Sequence, residues 1–143
     1  MMRLVPGSDA SASALNAERL KLEAIAQNIA NANVTRTPEG GPYQRKEVVF
    51  QSMVNKALDQ QSGQQGSLSL VQADVVEDTN TEGPRVFDPS HPDADAQGYV
   101  QMPNVSIHKE MVDMILASRS YEANLAAMKY GRKMTTQTLS IGR

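Results

Sequence analysis

Imidazole changes charge near neutral pH, so His91 and His108 are the first residues to consider for acid–base or metal chemistry. His91 lies between Pro89 and Pro92, His108 lies near the start of a helical pattern, and neither has a partner at metal-ligand spacing. Asp93, Asp95, Gln97 and Gly98 match the first half of a calcium loop, which needs oxygen ligands at alternate positions and a glycine at the sixth. The twelfth position is Asn104 instead of the bidentate glutamate, and Pro92 and Pro103 deny the loop its flanking helices, so an aspartate-rich turn is expected. Asn33-Val34-Thr35 and Asn104-Val105-Ser106 fit the glycosylation sequon, a frequent chance match. The absence of cysteine removes thiolate nucleophiles, disulfides and Cys-ligated metals. There is no phosphate-binding glycine loop, nucleophile elbow or paired-carboxylate motif. The expectation is a protein that is not an enzyme and has no metal and no cofactor.

The elements that would carry these residues are set by helix breakers. Apart from Pro6, every proline falls between residues 38 and 103. Before that stretch, from about Ser11 to Asn33, Leu15, Leu22, Ile25, Ile29 and Ala32 follow the spacing of one helical face. Glu18 with Lys21, and Arg19 with Glu23, pair at helical distances on the opposite face. After it, Ile107, Met111, Met114, Ser118, Tyr121, Leu125, Met128, Arg132, Thr135 and Leu139 form a heptad-like stripe, widened by Val112, Ile115 and Leu116. Asn104 or Ser106 is the expected cap, and Gly131 weakens the run without ending it. The methionines of this stripe could form either a core or an adaptable binding surface. In a core shared between subunits the two readings merge.

The middle reads as short strands: an extended run over Tyr43 to Phe50, an alternating one over Leu68 to Val75, and two more near Arg85 to Phe87 and Gly98 to Met102, together completing a small sheet. Residues 51–60 fit a short helix or a continuing strand, and Asp59 to Ser67 form a glutamine-rich connection. The fold class is therefore α+β. Long terminal helices over residues 1–35 and 104–143 flank a small, mainly β segment over 36–103.

Length and charge limit what such a chain can do. Its 143 residues amount to about one domain, and only two Phe, four Tyr and no Trp are available for packing, so Leu, Ile, Val, Met and Ala must build the core. A formal charge of −2 argues against nucleic acid or an anionic membrane as partner. The seven acids between residues 74 and 95, and a last stretch from Lys129 with Arg132, Lys133 and Arg143 but no acid, fit subunit-to-subunit complementarity or ordinary solvated surfaces. No apolar run approaches the length of about 20 residues that a membrane span needs, and Pro6, Gly7 and Asp9 interrupt any signal-peptide core. Export, if it occurs, is expected without a cleaved signal. A helix over 104–140 would be roughly 55 Å long, longer than the diameter of just under about 40 Å for a compact chain of this size. Part of its stripe needs partners, so assembly is expected.

Two segments carry a family resemblance. Ala26-Gln-Asn-Ile-Ala-Asn-Ala-Asn33, followed by a turn to Tyr43, Arg45 and Lys46, resembles the Asn-Leu-Ala-Asn signature of bacterial flagellar rod and hook proteins. The segment Asp88 to Val105, then Glu110-Met-Val-Asp-Met-Ile115 and Ser118-Arg-Ser-Tyr-Glu-Ala-Asn124, is similar to proximal-rod subunits of the flagellar basal body. With Thr138 to Gly142, the resemblance spans nearly the whole chain.

The resemblance implies a structural subunit that stacks helically into the periplasm-spanning rod, transmits torque, and is exported by the flagellar type III apparatus. Partners would be further copies and other rod proteins. It also implies terminal helices paired as an antiparallel coiled coil, with Leu15, Leu22, Ile25 and Ile29 against Ile107, Met111, Met114, Tyr121, Leu125 and Met128. Asn28 and Asn31 match the signature asparagines and would bind backbone at the helix end or across subunits. Arg119, Glu122 and Asn124 are the polar residues of the second motif, with Arg119 and Glu122 candidates for intersubunit ion pairs. Met1 to Val5, and Phe50 with Val54, are candidate export-recognition elements. A different axial subunit, or a helical export chaperone or adaptor, is the alternative reading.

Overall fold

The computed structural model of the chain describes residues 8–54 and 69–141. The order is α1 (Ser8–Ala30), β1 (Lys46–Val54), β2 (Ser69–Glu77), β3 (Arg85–Phe87), β4 (Tyr99–Gln101) and α2 (Ile107–Ile141), an α+β arrangement. The two helices fall where breakers are absent. Helix α1 unwinds through the tighter three-residue bonds from Ala32 N–H to the Ile29 carbonyl and from Val34 N–H to the Asn31 carbonyl. The turn that follows places Gly40 and Gly41 at φ 92° and 81°, where a side chain would be strained.

Helix α2 has 35 residues and runs about 52 Å at the usual rise. Its first turn closes on Ser106, whose carbonyl accepts the Glu110 N–H at 3.0 Å. Asn104, the other expected cap, is used elsewhere. Gly131 lies inside the helix, and beyond it Thr135, Thr136 and Thr138 turn their hydroxyls back to carbonyls four residues earlier.

The expected single sheet is two separate two-stranded ladders among the described residues, β1 with β2 and β3 with β4. The second is antiparallel, pairing Arg85 with Gln101, Val86 with Val100, and Phe87 with Tyr99. The split has a local cause. Beyond β2, the Asp78 carboxylate accepts the N–H groups of Asn80 and Thr81, which turns the chain before β3 begins. Residues 51–54 continue strand β1, whereas 55–60, the glutamine-rich connection and Leu68 lie outside the described residues.

The chain forms two compact units. The first takes its described residues from within Met1–Leu20, Val49–Asp74 and Ala117–Arg143. There Ala17 and Ala117 are buried, the Ser120 hydroxyl donates to Glu18 Oε1 at 2.7 Å, and Ser13 Oγ accepts the Val71 N–H. The second comprises Lys21–Val48 and Val75–Leu116 and buries Ala24, Ile25, Asn28, Ala32, Tyr43, Val100 and Glu110. The buried apolar side chains are mostly alanine, so the core is thinner than the count of Leu, Ile and Met suggests.

Within the second unit, a Cβ on Gly83 would collide with the backbone of Met102 and Pro103. Gly83→Ala is expected to cost about 1–3 kcal/mol, the range of overpacking a close contact, as read from urea unfolding.

Candidate functional site: a buried polar junction

The most buried large side chains in the described chain are polar: Asn28 on α1 and Glu110 on α2, both 0% exposed and both in the second unit. Seven-residue spacing puts Glu110 on the same line of α2 as the buried Ala117. A carboxylate on such a line is tolerated only if its oxygens are filled.

They are filled by two donors. Arg45 Nε donates to Glu110 Oε1 at 2.7 Å, and Asn28 Nδ2 donates to Glu110 Oε2 at 3.0 Å. The Asn28 amide is fully used. Its Oδ1 accepts the Lys46 N–H at 2.9 Å and the Tyr43 hydroxyl at 3.0 Å, while Nδ2 also donates to the Lys46 carbonyl at 2.9 Å. Asn28 thus meets both backbone groups of Lys46, as a neighbouring strand would. A helix side chain supplies that pairing because the connector enters β1 at this residue.

Around this centre, Asn104 Oδ1 accepts the Arg45 N–H at 2.7 Å, and its Nδ2 donates to the carbonyls of Asp78 and Thr81 at 3.0 and 3.1 Å. The Arg45 carbonyl accepts the Asp78 N–H at 2.8 Å. Glu47 and Asp113 stand 3.7 and 3.8 Å from the Arg45 guanidinium. Burial alone would lower the guanidinium's pKa, but the hydrogen bond and charge of Glu110, with Glu47 and Asp113, more than offset it and raise it.

Burial raises the Tyr43 phenol above its ordinary range, with the charges of Glu77 and Glu110 adding to the shift. The folded state therefore holds its proton longer than the unfolded chain, so this contribution is present below the ordinary phenol pKa and lost as pH rises through the folded one. Tyr43→Phe is expected to cost about 1 kcal/mol in urea unfolding, because Asn28 Oδ1 keeps its bond from Lys46, and to remove that alkaline dependence.

The half-loop that resembled a calcium site is an aspartate turn. Asp95 Oδ1 accepts the N–H groups of Gln97 and Tyr99, and Asp93 accepts from Thr35 Oγ1 and pairs with Arg36. These backbone bonds, with smaller contributions from Arg85 and Gly98, depress the Asp95 carboxyl against a slight opposing effect of burial. His91 Nδ1 accepts the Asp93 N–H, and His108 is exposed. Among the described residues no group of His, Asp and Glu could hold a metal ion.

Of the expected interface residues, Ile25 is buried; Leu15, Leu22, Ile29, Ile107, Met114, Tyr121, Leu125 and Met128 are half-buried, and Met111 is exposed. Asn31 turns back on its own helix, donating to the Gln27 carbonyl at 2.8 Å. Arg119 and Glu122 are exposed and Asn124 is half-buried. Phe50 is exposed, while Met1 to Val5 and the Val54 side chain lie outside the described residues. Tyr43, Arg45 and Glu110 lie in the segments that carry the resemblance and Asn104 is an expected cap, but nothing in the sequence joins the four. The available signal was one charged residue, Glu110, seven before Ala117 on a helix otherwise read by its larger apolar side chains.

Comparison with known proteins covers both ends and then the whole chain. Residues 9–36 match the family described as flagella basal body rod protein, and residues 96–141 the family described as flagellar basal body rod FlgEFG protein C-terminal. Flagellar basal-body rod protein FlgC of Bacillus subtilis (strain 168) is 40% identical over 141 residues, which cover 93% of this chain and 94% of that one. FlgC of Escherichia coli O157:H7 is 40% identical over 142 residues, 99% of this chain and 100% of that one. FlgC of Borreliella burgdorferi is 36% identical over 154 residues, 98% of each chain.

Proposed function

The chain belongs to the FlgC family of flagellar basal-body rod proteins, and on that premise we propose that it builds the proximal rod by sharing the faces of its two helices with neighbouring subunits in a helical array. It is a structural subunit of the basal-body rod, not an enzyme, and assembles with other rod proteins.

The observation that carries the proposal is the apolar surface of α2. Met111, Val112, Ile115, Leu116, Tyr130, Met134, Leu139 and Ile141 are each more than half exposed, from 51% at Met111 to 86% at Ile141. Met114, Tyr121, Leu125 and Met128 on the same helix are half-buried. So much exposed apolar surface on one helix calls for a covering partner, which the described residues of a single copy do not supply.

Pairing of the terminal helices as an antiparallel coiled coil fits two contacts, one in each unit: Glu18 with Ser120, and Asn28 with Glu110. Residues 1–35 and 104–143 then form the helical core and 36–103 the middle segment. In this reading Leu15, Leu22, Ile25 and Ile29 line the inner seam with Met114, Tyr121, Leu125 and Met128. Ile107 and Met111 extend the seam toward neighbours, and Arg119 and Glu122 stand ready for intersubunit ion pairs. Torque passes along the array through these shared faces. Delivery through the flagellar type III apparatus, without a cleaved signal, completes the proposal. No helix among the described residues is long and apolar enough to cross a membrane.

The test is deletion of the coding gene followed by complementation. The deleted strain is expected to lack filaments, and the full chain to restore them and to co-purify with basal bodies. Normal filaments in the deleted strain would overturn the proposal.

A further inference from the structure

Both strand excursions of this chain leave and return through the same few residues. The β1–β2 ladder is entered at Arg45 and Lys46 and left at Asp78; the path to β3 and β4 starts at Thr81 and comes back at Asn104, just ahead of α2. Every one of these roots is tied into the buried junction. Lys46 is held by Asn28 through both backbone groups, and Arg45 by Glu110 through its side chain and by Asn104 through its N–H. Asp78 is held by Arg45 and Asn104, and Thr81 by Asn104.

Covalent roots of two or three residues normally bend freely, since each residue contributes two soft dihedrals. Apolar contact would hold them near the helices but permit sliding. Directional bonds, mutually polarised and filled at both ends, do not. The choice of polar groups at 0% exposure, where well-packed apolar residues would serve stability at least as well, points to geometry as what is being held.

We propose that this junction is a mechanical joint: Asn28, Arg45, Asn104 and Glu110 lock the roots of both strand excursions to the two helices, so that force on the strands reaches the helices instead of bending the roots. The proposal rests on the chain's role as a rod subunit. It adds where, within the subunit, load crosses from one part to another.

Native-state hydrogen exchange on the full chain tests the joint. Of the backbone N–H groups, Asn104→Ala directly frees only that of Arg45, along with the carbonyls of Asp78 and Thr81; a joint that opens as one requires the Lys46 and Asp78 amides, bonded to Asn28 and to the Arg45 carbonyl, to quicken with it by about tenfold or more. Acceleration confined to Arg45 would overturn it. If Asn104→Ala does not fold, Glu110→Gln must give the same joint acceleration at Arg45, Lys46 and Asp78. In cells, both variants are expected to build basal bodies in normal number but to lose swimming speed disproportionately as the medium is made more viscous. Unchanged speed under load, or failure to build rods at all, would overturn the mechanical role. Absence of the wild-type chain from purified basal bodies would instead overturn the rod assignment beneath it.

Discussion

Replacing Glu110 by alanine is expected to lower the unfolding free energy by about 3–5 kcal/mol, the cost of leaving the other half of a buried charge pair uncompensated. The Arg45 guanidinium would lose its Nε acceptor and Asn28 Nδ2 one of its two acceptors. Glu47 and Asp113 stand too far off at 3.7 and 3.8 Å to replace a direct bond. Glu110→Gln should cost less, about 1–3 kcal/mol, but not zero. Whichever way the new amide is turned, its NH2 meets a donor, either Arg45 Nε or Asn28 Nδ2. Asn28 cannot flip to help without losing its bonds from the Lys46 N–H and the Tyr43 hydroxyl. Urea titration of the three proteins should therefore rank wild type above Glu110→Gln above Glu110→Ala; equal midpoints would show that the carboxylate does not hold the junction.

The second large effect is on assembly with no matching effect on the fold. Ile115 and Leu116 are 56% and 58% exposed in the single chain, so Ile115→Lys with Leu116→Lys should change unfolding free energy by less than about 0.5 kcal/mol. If the face is covered in the rod, the same pair buries two charges in an interface. Incorporation into basal bodies should fall by about thirtyfold or more, the range of losing an interface hot spot, and swimming should stop. A doubly substituted chain that is stable, incorporated and motile would show that this face is not an interface.

The helices are legible because their pattern is long and free of proline: the spacing places the first over about Ser11 to Asn33, where the structure has Ser8–Ala30, while the wider range of 1–35 runs past its end. The short strands at 85–87 and 99–101 were legible from alternation and flanking turn residues. Their division into two ladders was not, because it depends on how the Asp78 carboxylate folds back onto Asn80 and Thr81, a local choice that periodicity does not register. The candidate site was half legible. Asn28 stood out through its motif, and the resemblance already included Tyr43, Arg45 and Glu110. What joins them is a contact between residues 82 positions apart, Asn28 and Glu110, which hydrophobic spacing cannot report. The most buried faces hold Ala17, Ala24 and Ala117, small residues that a search for large apolar side chains passes over.

The exposed apolar residues also explain why the core is thinner than the count of Leu, Ile and Met suggests. Many large side chains of α2, among them Val112, Ile115 and Leu116, are exposed, while alanine is the commonest apolar side chain buried among the described residues. On the proposed reading the missing part of the core is supplied by neighbours, and the folded monomer is the unfinished piece of a larger packed object.

The chain contains no cysteine, so single cysteines placed at Val112, Leu116, Tyr130 and Met134 can be followed without background by maleimide labelling. In the purified chain all four should label rapidly, as their exposure requires. In isolated basal bodies the same sites should be protected by about tenfold or more, because neighbouring subunits cover them. Labelling at the same rate in both would contradict the shared-face assembly of the rod.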